Sequence, residues 1–263
     1  MPVIRSGGTE IFYRSEGKGP ALVLHTGAGG DHQIWEFAGY VARLKGFRLL
    51  LMDQRGRGRS GRPSEIEEHR IERFAGDVAA VLDDAGVEQA GFWGYSAGAL
   101  VGAAFGATYP ARLRALVGTG SFPNQDLCES PPPPDPEEYV RTTVAHGGVV
   151  RSMERFMERE NDRFPEAIER NVRETDPRMN ALDHLAWLSW KGPISEFPKL
   201  RAPFLMLTGE REDVDRSTEP ALERLPGGRV IRLAGVGHLG AFYRSDLALV
   251  HALPFLRQHL GAG

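Results

Sequence analysis

Ser96 stands at the centre of Gly94-Tyr95-Ser96-Ala97-Gly98, between an apolar run, Ala90-Gly91-Phe92-Trp93, and a helix-like run, Leu100 to Phe105. The order is strand, G-x-S-x-G, helix. A sharp turn at that junction strains the serine backbone and lifts its hydroxyl to the tip of the turn. Gly94 and Gly98 leave room where two chain segments crowd. The start of the following helix aims free N–H groups and a partial positive charge at the same spot. A serine so placed can attack a carbonyl carbon, and the Ala97 N–H can receive the oxyanion. The pentapeptide alone also fits an ordinary helix start with Ser96 as N-cap. The rest of the chain separates the two readings.

Serine is a poor nucleophile at neutral pH and needs a base with a pKa near 7. His238 supplies one, directly after the apolar-alternating run Arg229 to Leu233 and Gly235-Val236-Gly237. The imidazole needs a carboxylate to fix its tautomer and stabilise its cation. Glu212 and Asp213 both follow the strand-like Pro203 to Leu207. Ser96, an acid at 212 or 213, and His238 therefore each follow a predicted strand. The carboxyl ends of parallel strands share one edge, so the three can converge. The chain has eight histidines, and the other seven lack such a strand-end position or, like His25, read as structural.

The elements that must hold these groups alternate. Ala21-Leu22-Val23-Leu24 is a continuous apolar run, as expected of a strand buried on both faces. It ends in the glycine-rich turn His25-Thr26-Gly27-Ala28-Gly29-Gly30-Asp31, followed by one helical pattern through Ile34, Phe37, Val41 and Leu44. No Gly-Lys-Ser/Thr follows and the G-x-G-x-x-G spacing is missing, so no nucleotide site is expected. The better use of the turn is a second oxyanion donor, the N–H of Ala28. Phe47 to Met52 reads as the next strand, and Asp53-Gln54-Arg55-Gly56-Arg57-Gly58-Arg59-Ser60 follows as a loop. Its arginines suggest an anion site. The structural alternative, with Asp53 and Arg55 paired to each other or to backbone, is preferred. A helix over Ile71 to Ala85, the Ser96 junction and a strand over Leu113 to Gly118 complete a mostly parallel α/β pattern. Ahead of it, Val3 to Arg14 reads as a hairpin at a sheet edge.

The alternation breaks near Ser121. Pro131-Pro132-Pro133-Pro134-Asp135-Pro136 reads as an extended connector, and about Glu137 to Ser195 is helical. The expected division is a core of residues 1–121 and 199–263 with a helical cap at 122–198, whose Met and aromatic residues supply pocket walls. The α/β pattern then resumes, with helices over about Ser217 to Leu225 and Ser245 to Leu260.

Composition narrows the function. Over 263 residues the net charge is −3, which gives no electrostatic case for nucleic acid or an anionic membrane surface. The arginines between Arg151 and Arg178 alternate with acids and read as a solvated helix surface. The single cysteine, Cys128, excludes an intrachain disulfide and is not read as a nucleophile. No apolar run reaches the length of a membrane span, and Met1 to Arg5 has no long apolar core, so a cytoplasmic location is expected. No cofactor is implied, and no His/Asp/Cys cluster has metal-ligand spacing. The expected partner is a small-molecule substrate. The sequence does not specify an oligomeric state.

Taken together, the His25-to-Gly30 turn, Asp53-Gln54-Arg55-Gly56-Arg57-Gly58-Arg59-Ser60, Gly94-Tyr95-Ser96-Ala97-Gly98, Gly209-Glu210-Arg211-Glu212-Asp213 and Gly237-His238 resemble the α/β-hydrolase superfamily over nearly the whole chain. The resemblance implies an eight-stranded, mostly parallel sheet flanked by helices, with a helical cap after the sixth strand. It also implies nucleophile Ser96, base His238 and oxyanion donors from Ala97 and the Gly27-Ala28 turn. Family members usually carry His-Gly at that turn. Here Thr26 intervenes, so Gly27 and Ala28 both stand as donors. Glu212 has the commoner spacing from Gly209, while Asp213 carries the commoner, shorter acid and is preferred. The expected function is a serine esterase or lactonase acting on a small apolar molecule. A nucleophilic aspartate would have suggested haloalkane or epoxide hydrolysis, and serine argues against both. Alternatives are carbon–carbon bond hydrolysis of a vinylogous diketone with Arg55, Trp187 or Trp190 in the pocket, perhydrolysis of carboxylic acids, and a ligand-binding receptor without turnover.

Overall fold

The computed structural model describes residues 2–120, 133–190, 199–212 and 227–261. Its frame is one eight-stranded sheet with strand order β1-β2-β4-β3-β5-β6-β7-β8. The strands are β1 (Val3–Ser6), β2 (Thr9–Gly17), β3 (Ala21–His25), β4 (Arg48–Met52), β5 (Ala90–Tyr95), β6 (Leu113–Thr119), β7 (Phe204–Gly209) and β8 (Arg229–Leu233). β1 and β2 form the expected antiparallel edge hairpin, and β2 runs antiparallel to β4. Every pairing from β4 across to β8 is parallel. The chain goes from β3 outward to β4, then returns to lay β5 on the other side of β3. The switch point therefore lies between β3 and β5, where a crevice opens beyond the carboxyl ends of the strands. The glycine turn after β3 and the serine turn after β5 border it.

Helices cover both faces. They are α1 (Gln33–Phe37), α2 (Tyr40–Arg43), α3 (Ile71–Asp84), α4 (Ala97–Thr108), α5 (Pro136–Ala145), α6 (Gly148–Glu160), α7 (Glu166–Arg173), α8 (Pro177–Ser189), α9 (His238–Tyr243) and α10 (Ser245–Leu260). Successive strand side chains point to opposite faces. Val23 thus packs with Phe74, Val78 and Phe105 of α3 and α4. Leu22 and Leu24 pack with Trp35, Phe242 and Leu256 on the other face. Each such buried side chain contributes roughly 1.5–3 kcal/mol. Among the described residues no helix is long and apolar enough to cross a membrane.

Two local expectations change. The helical pattern from Ile34 to Leu44 is two short helices, because Gly39 sits between them in the left-handed region at φ 78°. α9, which begins at His238, was not foreseen. The helices α5 to α8 lie between β6 and β7, as the expected insertion does. The proposed boundaries at 121/122 and 198/199, Cys128, and the helix over Ser217 to Leu225 lie outside the described residues. The arginines of the inserted helices do pair with acids in exposed bridges, such as Arg151–Glu154 and Arg173–Glu169, each worth about 0–1 kcal/mol.

The arginine loop is structural; Asp53 pairs with backbone, as expected, while Arg55 also finds carboxylate partners outside the loop. Asp53 accepts from the backbone N–H and Nδ1 of His32, both at 2.8 Å, and from the Arg59 N–H. Arg55 turns away, donating through Nε and Nη2 to Asp77 at 2.8 and 2.6 Å and through Nη1 to Glu68 at 2.6 Å. Asp77 lies 22 residues away on α3, so Arg55 staples the loop to a helix. Because both partners are buried, Arg55→Met leaves an unpaired carboxylate in the interior. It should cost about 3–5 kcal/mol in urea unfolding, and a loss under 1 kcal/mol would contradict this accounting.

Candidate active site

The serine turn is as tight as its glycines require. Ser96 has φ 50° and ψ −120°, a conformation that costs a non-glycine residue about 1–3 kcal/mol. A Cβ at Gly94 would run into the backbone of Gly98 and Ala99, and one at Gly98 would lie 2.5 Å from the Thr26 carbonyl oxygen. The Ser96 N–H donates to the Thr119 carbonyl at 2.7 Å, tying the turn to the end of β6. Ala97 is the first residue of α4, so its N–H points out of the helix with no intrahelical partner.

His238 is the first residue of α9. Its ring packs against Gly120 at the end of β6 and lies 5.4 Å from the Tyr95 ring, next to the serine. Nδ1 lies 2.6 Å from Glu212 Oε1. Glu212 Oε2 accepts from Thr208 Oγ1 at 2.5 Å and from the Gly209 N–H at 3.0 Å. Burial pushes the Glu212 carboxyl up, but His238, Thr208 and the Gly209 N–H outweigh it and hold the group below its ordinary range. An ionised carboxylate only accepts, so Nδ1 donates to it, and in the neutral imidazole that tautomer leaves Nε2 as the acceptor.

Of the two acids considered from sequence, the structure places Glu212, the alternative, on His238. Asp213 lies outside the described residues, and the carboxylate set on the imidazole is that of Glu212. A tight turn causes this: the Glu212 N–H donates to the Gly209 carbonyl at 3.1 Å, folding the side chain back onto the end of β7.

His238 and its neighbours are also held from the inserted segment, by residues at and just after the end of α6. Glu160 Oε2 accepts the backbone N–H of His238 at 2.6 Å. Asp162 Oδ2 accepts those of Gly237 and Gly240 at 3.2 and 2.9 Å, and Oδ1 accepts the Tyr243 hydroxyl at 2.5 Å. These carboxylates cap the start of α9, where negative charge is stabilised. Phe156 of α6 stacks on the imidazole at 4.6 Å and 16°. The sequence reading missed all three. Its one available signal was an acidic pair flanking Asn161, which is the left-handed C-cap of α6.

The second oxyanion candidate is Ala28, which lines a cavity of about 500 Å³ together with Ser96 and Ala97. Gly27 is buried behind it, and a Cβ there would lie 2.9 Å from the Ser96 Cβ. Phe156, Trp187 and Trp190 form part of the opposite wall. That volume suits a small organic ligand. Arg55, held by Asp77 and Glu68, is not among the lining residues.

His25 is structural, as expected. Its ring stacks on Phe92 at 5.8 Å, and Nδ1 meets the Thr26 carbonyl at 3.0 Å. Burial lowers its pKa from 6.5 to about 4. Between those values the unfolded chain binds the proton and the folded chain does not. Stability is therefore whole above 6.5 and falls as pH drops toward 4, by about 3 kcal/mol from this group. Urea unfolding between pH 7 and 4.5 should show that slope, and His25→Gln should flatten it.

One further cluster, Asp31, His32 and Asp53, brings ligand-type atoms within 4.8 Å of one another. Both Asp53 oxygens there already accept N–H groups.

A family model described as alpha/beta hydrolase fold matches residues 20–245. A putative carbamate hydrolase, RutD, of Azorhizobium caulinodans is 33% identical over 128 residues, covering 48% of this chain and 46% of that protein. The chain thus spans about half or less of the curated relatives it matches. Among solved structures, Est816, described as an N-acyl homoserine lactone degrading enzyme, superposes with TM-score 0.75 at 23% identity, over 97% of this chain and 100% of that one. The enol-lactonase of Burkholderia xenovorans LB400 gives TM-score 0.76 at 23% identity, over 97% and 99%. Likeness at that identity speaks to the fold alone.

Proposed function

This chain belongs to the alpha/beta hydrolase fold family, and from that premise we propose that it is a serine hydrolase cleaving an ester or lactone of a small, fairly apolar molecule. Ser96 Oγ attacks the acyl carbon while His238 Nε2 takes its proton. Glu212 keeps the imidazole in that tautomer and stabilises the imidazolium. The N–H groups of Ala97 and Ala28 receive the oxyanion. Collapse returns the proton from His238 to the leaving alkoxide and leaves an acyl group on Ser96. Water, deprotonated by His238, then releases the acid. The inserted helices act as a cap over the cavity.

The observation that carries this reading is the 2.6 Å contact between Glu212 and His238 Nδ1 beside the strained serine turn. The putative carbamate hydrolase among the sequence relatives supports the bond class, because a carbamate presents an acyl carbon bonded to a heteroatom. Of the three residues the carbon–carbon alternative named, Trp187 and Trp190 line the cavity and Arg55 does not. The test is nitrophenolate release from nitrophenyl acetate and butyrate, with acid release from lactones of five- to seven-membered rings. Turnover well above the uncatalysed rate is expected. No turnover on any of them, with a bound ligand recovered unchanged, would favour a receptor.

A further inference from the structure

We propose that Arg57 is a positioning residue for the oxyanion site, fixing the Gly27–Ala28 peptide so that the Ala28 N–H faces the reacting carbonyl. Resting on the hydrolase reading above, this assigns a role to a loop arginine that the mechanism leaves unused.

Arg57 is fully buried, beneath the glycine turn. Its Nη1 donates to the Gly27 carbonyl oxygen. That oxygen and the Ala28 N–H belong to one peptide unit, and in a trans peptide the two point in opposite directions. No cis bond occurs among the described residues. Holding the carbonyl on the loop side therefore aims the N–H at the other side, where Ala28 borders the cavity beside Ser96 and Ala97. A guanidinium on the carbonyl also polarises the peptide, which makes its N–H a stronger donor.

Arg57 cannot swing away from this task. Asp183 of α8 takes its Nε and Nη2 at 2.9 and 2.5 Å. The other Asp183 oxygen meets His69 Nδ1 at 2.9 Å, and His69 Nε2 meets the Pro63 carbonyl at 2.9 Å. All three side chains are buried. Asp183 comes from the inserted helices, 126 residues from Arg57, so the insertion braces the oxyanion peptide as well as walling the cavity. A lysine could not hold the carboxylate and the carbonyl together, whereas the planar fork does.

The test pairs Arg57→Met with Asp183→Asn, so that neither the guanidinium nor the carboxylate is left buried without the other. Ester turnover is read beside the 15N resonance of the Ala28 amide, which reports a hydrogen bond to the preceding carbonyl. We expect kcat per folded molecule to fall about a hundredfold, as for a small misplacement of a catalytic group. KM should stay within about threefold, and the Ala28 resonance should move. Arg57→Lys, which keeps the charge and one donor nitrogen, should lose less. An unmoved Ala28 resonance with kcat retained overturns the proposal and leaves the hydrolase reading intact. An inactive wild type overturns the hydrolase reading. Movement of Ala28 then still upholds the positioning of the peptide, and an unmoved Ala28 overturns it.

Discussion

Ser96→Ala should lower kcat for a nitrophenyl ester by about 10⁵- to 10⁶-fold, the size of effect seen when a serine nucleophile is removed. The substitution deletes one oxygen and keeps the Cβ that packs on Gly27. Both residues pay the same cost at φ 50°, so stability should change by less than about 1 kcal/mol. KM should hardly move, because the cavity walls stay as they are. Ser96→Gly makes the companion case: it should be just as inactive, yet more stable by about 1 kcal/mol, since glycine relieves the backbone strain. Steady-state kinetics and urea unfolding on the same samples check both halves. Retained activity in Ser96→Ala would remove the nucleophile from the account.

Glu212→Gln should lower kcat by about 10³- to 10⁴-fold, comparable to neutralising the acid of a serine–histidine–acid triad. The neighbours of the carboxylate fix the outcome. Thr208 Oγ1 and the Gly209 N–H both donate to Oε2, so a glutamine places its carbonyl there and turns its NH₂ toward His238. Nδ1 must then accept, which moves the proton to Nε2, the atom that has to accept from Ser96. Asp213→Asn is the comparison and should change kcat by less than about threefold. The reverse result, with the loss on Asp213 and none on Glu212, would restore the sequence preference.

The parts that sequence made legible are those set by local rules. A strand buried on both faces is a continuous apolar run, so β3, β4 and β5 could be read directly. The serine turn needs glycine at two positions for steric reasons, and it carries them. His238 stood out because a titratable base follows the end of a strand. What could not be read depends on pairing at a distance. Glu160 meets His238 across 78 positions and Arg57 meets Asp183 across 126, and no spacing rule spans such gaps. Arg55 was expected to pair with Asp53 or with backbone, but the carboxylates that hold it are Asp77 on α3 and Glu68 in the turn before it. The choice between Glu212 and Asp213 hung on one residue of turn geometry after β7, where two adjacent acids give the same pattern. Gly39 broke a helix whose apolar spacing continued through it.

The most direct test of the central claim is the intact mass of the protein quenched in acid within milliseconds of mixing with nitrophenyl butyrate. The account predicts a transient butyryl adduct, mapped by peptide sequencing to Ser96 and absent from Ser96→Ala. Full ester turnover with no adduct, or with the acyl group on another residue, would contradict it.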